Sequence, residues 1–231
     1  MSPKKDQVRN MFDDISGRYD LLNHLLSFVV DRCWRRTLVK KLFQHHPVRI
    51  LDIATGTGDL ALAMATLGPV KVTGIDLSVR MMEIARQKAA RKNLASRVGF
   101  EPGDAEEIPF PEGSFDAVTV AFGVRNFEDL ERGLAEMKRI LVPGGSMMIL
   151  EFSHPGSVPL KQIYGFYSRF AIPFIGRMIS RHGEAYRYLP DSVAAFPSGN
   201  DFAVILERTG MKNVSVLPLT GGIATLYSAE K

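Results

Sequence analysis

Apolar residues fall at Val8, Met11, Phe12 and Ile15, the three- and four-residue spacing of one helix face, so the chain opens on a short amphipathic helix that Gly17 interrupts. A stretch mixing Tyr19, Asp20 and Asn23 with large apolar residues leads into a basic helix carrying Trp34, Leu38 and Leu42. From Val48 the pattern changes. VRILDIA and KVTGIDL are short β-branched runs separated by a glycine turn and a run of good helix formers, which predicts strand, turn, helix, strand. The alternation continues with SVRMMEIARQKAARKN, a helix for which Ser78 is an N-cap, then strands VGFEPGD and FDAVTVAF. A helix from about Leu130 to Leu141 is stopped by the turn Val142 to Gly145, and SMMILEF is a fifth strand.

Strands alternating with helices predict an α/β doubly wound, Rossmann-like sheet, mostly parallel, with helices on both faces. The last two strands, KNVSVLPL and GIATLYSA, are separated only by Thr220-Gly221. They must be antiparallel, because a parallel pair needs a crossover of a dozen or more residues. Seven strands are thus expected in a single domain over 1–231. A helical cover over about 8–45 precedes the sheet. Between Pro155 and Pro197 the alternation lapses into an aromatic run and the string EAYRYLPDS, read as an insertion of about 155–197 over the substrate side.

Composition adds limits. The 231 residues are 45% hydrophobic and 23% charged, ordinary values for a globular protein, so disorder is not the default reading. The net charge of +4 is concentrated in Arg32, Arg35, Arg36, Lys40 and Lys41, a solvated helix face or a patch for anionic lipid or substrate. The single Cys33 excludes an intramolecular disulfide and a cysteine-cluster metal site, and it fits a reducing, cytoplasmic setting. No apolar run reaches about 18 residues, so nothing is expected to span a membrane. The few, clustered basic residues and the lack of a separate recognition domain disfavour nucleic acid as a partner.

Candidate chemistry gathers at strand ends. Gly56 to Ala61 satisfies G-x-G-x-x-A, so a dinucleotide has to be weighed. Asp52 and Asp59 bracket that turn with negative charge, which opposes a pyrophosphate and suits an amino-acid ammonium group. Asp76 ends the second strand where a ribose diol would be bound, and Asp104 ends the third where an adenine edge would lie. With the antiparallel closing pair, these residues favour S-adenosylmethionine. Gly56 and Gly58 permit close backbone approach, and either Met81 or Met82 is a candidate for the adenine face. Arg125 and Asn126 follow the fourth strand and should face the acceptor; Tyr19, Asp20, Tyr186 and Tyr188 are further candidates, with His24, His154 and His182 as titratable groups. No metal is expected.

Asp52, LDIATGTGD, GIDLS, PGDAEEIPF and LVPGG occur in the order and spacing of class I methyltransferases. YDLLNHLLSFVVDRCW, AFGVRNFED, RILVPGGSMMILEFS, YRYLPDS and PLTGGIATL resemble the ubiquinone/menaquinone biosynthesis C-methyltransferase family over nearly the whole chain. The resemblance implies methyl transfer from S-adenosylmethionine to a ring carbon of a polyprenylated benzoquinol or naphthoquinol, with Thr57, Asp76, Asp104 and Ala105 at cofactor positions. The chain departs from the family at Leu22, Asp31, Val142 and Ala121, where methionine, histidine, lysine and, in several members, serine are usual. Phe28, Trp34, Tyr164, Phe166, Tyr167, Phe170, Phe174 and Ile175 suit an isoprenoid tail, and Arg169 and Arg177 suit a reversible membrane contact. A methyltransferase for another lipophilic or small acceptor, or a cofactor-binding scaffold subunit without catalysis, stays open. So do the choice between menaquinol and ubiquinol precursors and the oligomeric state.

Overall fold

The computed structural model describes residues 3–20, 29–153, 155, 162 and 184–231. Its strands are β1 (Arg49–Ile53), β2 (Lys71–Asp76), β3 (Val98–Pro102), β4 (Phe115–Ala121), β5 (Leu141–Phe152), β6 (Lys212–Leu219) and β7 (Ala224–Glu230). Seven helices accompany them among the described residues. They are α1 (Pro3–Ile15), α2 (Val30–Leu42), α3 (Asp59–Leu67), α4 (Val79–Arg91), α5 (Leu130–Ile140), α6 (Glu184–Ala195) and α7 (Asn200–Arg208).

One sheet runs in the order β3-β2-β1-β4-β5-β7-β6. β1 to β5 are parallel, and β7 is antiparallel to both β5 and β6, as the short connection requires. Strand order reverses between β1 and β4, and a crevice opens beyond the carboxyl ends of the strands at such a point. β1 is buried from Ile50 to Ile53 because both its faces are covered. Ile50 packs with Trp34, Leu38, Leu60 and Met82 on one side, and Leu51 with Leu134, Met137 and Phe202 on the other.

Local chemistry sets the element ends. The Ser78 hydroxyl accepts from the Met81 N–H at 3.1 Å, and the Asp129 carboxylate accepts from the Arg132 N–H at 3.0 Å, so α4 and α5 are both capped. The expected turn Val142 to Gly145 is instead a bulge inside β5. Phe115 pairs with Leu141 and Ala117 with Ser146, and the residues passed over include Gly144 at φ 73°. Proline and two glycines do end α5, but the chain end then zips onto them: Gly144 N–H donates to the Lys231 carbonyl and Lys231 N–H to that of Gly145. The third strand is shorter than expected and leaves Asp104 in the loop beyond it. EAYRYLPDS, expected as part of an irregular insertion, lies within α6, with Pro190 inside the helix.

Candidate active site

A cleft lies at the reversal point, floored by the ends of β1, β2 and β4 and roofed by Lys5, Val8 and Phe12 of α1. Gly56, Asp76, Asp104, Ala105, Tyr19 and Asn126 line it. Thr57, Gly58, Asp52, Asp20, Arg125 and Tyr188 do not line it; they stand behind those that do.

On the β1–β2 side, Asp76 ties two loops together. Its carboxylate accepts from Gly56 N–H and from Ser78 N–H, both at 2.8 Å. Burial pushes its carboxyl up, against these backbone donors. A carboxylate has about four acceptor positions, so room is left for a diol. Asp52 is 1% exposed and accepts from the Thr55 and Thr119 hydroxyls at 2.7 Å each. Burial lifts it to about 6 despite those bonds and the positive field of Arg35. Asp59 does not offer a free charge at the turn: Lys88 Nζ lies 2.7 Å from it and Arg35 3.7 Å. The same lysine reaches Asp20 and the Thr57 hydroxyl, and Thr57 donates to Asp20, so these residues clasp the segment after α1 to the turn. Gly58 sits at φ 80°, where an added Cβ would lie 2.9 Å from both Ala85 and Phe100.

At the far end of the cleft, Asp104 and Glu106 share Lys5, whose Nζ is 2.6 and 2.8 Å from them. Glu106 also accepts from the N–H groups of Glu128 and Asp129, fixing the loop that carries Asp104. Met81 lines the cleft beside Gly56, whereas Met82 is core, which separates the two candidates.

On the β4–β5 side, the chain leaves β4 through Phe122 at φ 61° into a 3₁₀ turn, Val124–Asn126. Asn126 faces the cleft, and its Oδ1 accepts from the Tyr188 hydroxyl at 3.0 Å, which latches α6 onto the turn. Burial pushes the Tyr188 phenol up although Arg125 pulls it down, so it is protonated and a donor near neutral pH. Arg125 is turned inward: Nη1 lies 2.8 Å from Glu151 Oε1 and also donates to the Phe122 carbonyl, and Nε donates to Ser192 at 3.3 Å. Trp34 packs on Phe122 and Phe152 and donates to Thr220 at 2.8 Å.

Residues of this arrangement not singled out from sequence include Lys5, Lys88, Glu106, Thr119, Glu151 and Ser192. Glu151 carried a signal, a lone acid within the apolar run SMMILEF, since a charge in a buried strand needs a partner. Lys5 and Lys88 carried none. Leu22, Asn23, His24, Phe28, His154, Tyr164, Phe166, Tyr167, Arg169, Phe170, Phe174, Ile175, Arg177 and His182 lie outside the described residues, as does the side chain of Tyr186. Among the described residues no group of three or more His, Cys, Asp or Glu side chains is placed to hold a metal ion, and no helix is long and apolar enough to cross a membrane.

The donors at the glycine turn decide which ligand it fits. Gly56 N–H is taken by Asp76 and Gly58 N–H by the Thr55 carbonyl at 2.9 Å, so neither glycine offers its N–H to a pyrophosphate. Acids line the cleft at both Asp76 and Asp104, which fits a cationic adenosyl ligand. The fold and this cleft define a Rossmann-like, S-adenosylmethionine-dependent methyltransferase. The fold is shared with a SAM-dependent methyltransferase from Thermotoga maritima at TM-score 0.68 and 21% identity, covering 96% of this chain and 99% of that one. The ubiE/COQ5 methyltransferase family matches residues 1–231, and the chain belongs to that family. It is 47% identical over 233 residues to the ubiquinone/menaquinone biosynthesis C-methyltransferase of Geotalea daltonii, covering 100% of this chain and 99% of that relative. It is 44% identical to the demethylmenaquinone methyltransferase of Bacteroides fragilis over 99% of this chain and 94% of the other.

Proposed function

We propose that the chain methylates a ring carbon of a polyprenylated quinol, a demethylmenaquinol or the corresponding benzoquinol precursor of ubiquinone. The observation that carries this reading is the polar group Arg125, Asn126 and Tyr188, set beside the same cleft as Asp76 and Asp104. The names of the relatives, which refer to menaquinone and ubiquinone biosynthesis, support it.

Asp76 holds the ribose diol of the cofactor, and Asp104 with the Ala105 N–H reads the adenine edge. Gly56 gives close backbone approach, Asp52, Thr57 and Gly58 shape the turn, and Tyr19 and Met81 wall the cleft. When bound, S-adenosylmethionine supplies a sulfonium methyl that needs no further activation and departs as S-adenosylhomocysteine, while the ring carbon gives up its hydrogen as a proton to solvent in exchange for the methyl. The chain must hold an electron-rich carbon in line with that methyl and exclude water, and positioning of this kind supplies several kcal/mol. A quinol oxygen that has begun to lose its proton makes the ring carbon electron-rich. Arg125 stabilises that oxygen as its charge grows, because a guanidinium stays charged and donates without acting as a base. Tyr188 saturates Asn126 Oδ1, leaving the Asn126 amide N–H groups to donate to the same oxygen. Asp20 acts through Thr57 and Lys88 rather than on the substrate.

The oxidised quinone lacks the ionisable hydroxyl, so the reduced form is the substrate. The isoprenoid tail lies in bilayer while the protein is cytoplasmic, so the chain makes a reversible, peripheral membrane contact, which sedimentation with anionic vesicles measures. A labelled-methyl assay under reducing conditions, with short-tail demethylmenaquinol and the matching benzoquinol side by side, tests the reading. Incorporation into ring carbon of either quinol supports it. Equal incorporation into the oxidised quinone, or transfer to neither quinol, overturns it.

A further inference from the structure

We propose that Glu151 is a positioning residue for methyl transfer, acting only through Arg125 and holding its guanidinium so that Nη2 is presented to the quinol oxygen; this rests on the function proposed above. Glu151 lies within β5, opposite Thr225 of β7, and is 0% exposed. Its Oε1 takes Arg125 Nη1 at 2.8 Å and Phe152 N–H at 2.9 Å, and its Oε2 takes the backbone N–H of Arg125 at 3.3 Å. One carboxylate therefore fixes both the side chain and the main chain of the residue that follows the β4 turn.

The other contacts narrow the guanidinium to one orientation. The Phe122 carbonyl takes Nη1, the Ser192 hydroxyl takes Nε, and the plane lies over the Phe152 ring with its carbon 5.6 Å from the centroid. Nη2 remains, and no described residue accepts a hydrogen bond from it. Arg125 itself does not line the cleft, but Phe122, Gly123 and Asn126 on either side of it do, so Nη2 stands directly behind that wall and reaches the quinol oxygen through a bridging water.

Stability alone gives little reason for the pair. A buried ion pair is commonly no better than apolar residues of the same volume, and β5 is otherwise filled by Met147, Met148, Ile149 and Leu150. Glu151 also balances the charge of Arg125, so the donor at the wall is strong without being a bare cation in a buried setting.

Glu151→Gln is nearly isosteric and tests this. In the quinol assay kcat is expected to fall about a hundredfold, since small displacements of a reacting donor cost that much. The KM for quinol should change by less than about threefold, and the calorimetric Kd for S-adenosylmethionine should match that of the unmodified enzyme. In an Arg125→Gln background the same Glu151→Gln change should cost nothing further in kcat. An unchanged kcat in the single variant, or the same fold-loss in both backgrounds, overturns the proposal. If Glu151→Gln does not fold, Glu151→Asp enters the same cycle; if Arg125→Gln does not fold, the split between kcat and KM in the single variant decides. Unmodified enzyme that transfers methyl to neither quinol removes the substrate reading and this inference together, which separates that failure from a negative result with Glu151→Gln alone.

Discussion

The two walls of the cleft hold their buried carboxylates in opposite ways. On the β1–β2 wall, Asp52 is bound by two threonine hydroxyls and Asp76 by backbone N–H groups, with no cation among the described residues in contact with either. On the β4–β5 wall, Glu151 has a full counter-charge in Arg125. Neutral donors pull a carboxyl's titration down by less than burial pushes it up, so both stay shifted upward and keep acceptor capacity for a ligand. A paired carboxylate is spent on its partner and orients it. The difference suits one wall for capturing a cation-bearing cofactor and the other for aiming a donor.

The comparison is broken most severely by Arg125→Ala. That change strands Glu151 without a partner and should cost about 3–5 kcal/mol in urea unfolding. It should also lower kcat by at least about a hundredfold while leaving the Kd for S-adenosylmethionine unchanged. Adding Glu151→Gln should return most of the lost stability, and no recovery would mean that the two side chains are not coupled.

The neutral wall is tested by pH. Burial raises the Asp52 carboxyl to about 6, so the folded chain keeps a proton that the unfolded chain releases between about pH 4 and pH 6. The native state is therefore favoured at the low end of that window and loses about 3 kcal/mol as pH rises through it. Asp52→Asn carries no such proton, and either threonine hydroxyl can turn to accept from the amide. Urea midpoints from pH 4 to 7 should fall more steeply for the unmodified chain than for Asp52→Asn, and parallel curves would count against the shift.

Asp76→Asn should weaken S-adenosylmethionine binding by about 2 kcal/mol in calorimetry, the range of a charge-assisted hydrogen bond, with little change in kcat at saturation. The smallest effect is at the rim. Ser78→Ala removes the α4 cap and a bond to Asp13, and it should cost about 1 kcal/mol of stability.

How much of this was legible in sequence follows from which signals are local. The β-branched runs, the Ser78 cap and the two closing strands each carry a short-range signature, and their expected places agree with the fold. Gly56, Asp76 and Asp104 were readable as cleft residues because a strand end in a parallel sheet has a fixed relation to the crevice. The β5 bulge was not, since Pro143-Gly144-Gly145 reads as a stop and the strand persists there through bonds to Lys231. Nor was the inward turn of Arg125, or the capture of Asp59 by Lys88, because an ion pair across 26 or 29 residues leaves no period. The charge of Asp59 was credited to a ligand when the fold had already matched it.

The roof over the cleft has a consequence for exchange. α1 is fastened at one end by Lys5 to Asp104 and Glu106, near its other end by Asp13 to Ser78, and just beyond by Asp20 to Thr57 and Lys88. Undoing several of these bonds at once, a sub-global opening, widens the way to the space beneath. Ionic strength, which weakens the exposed pairs first, then becomes a control on how fast product leaves.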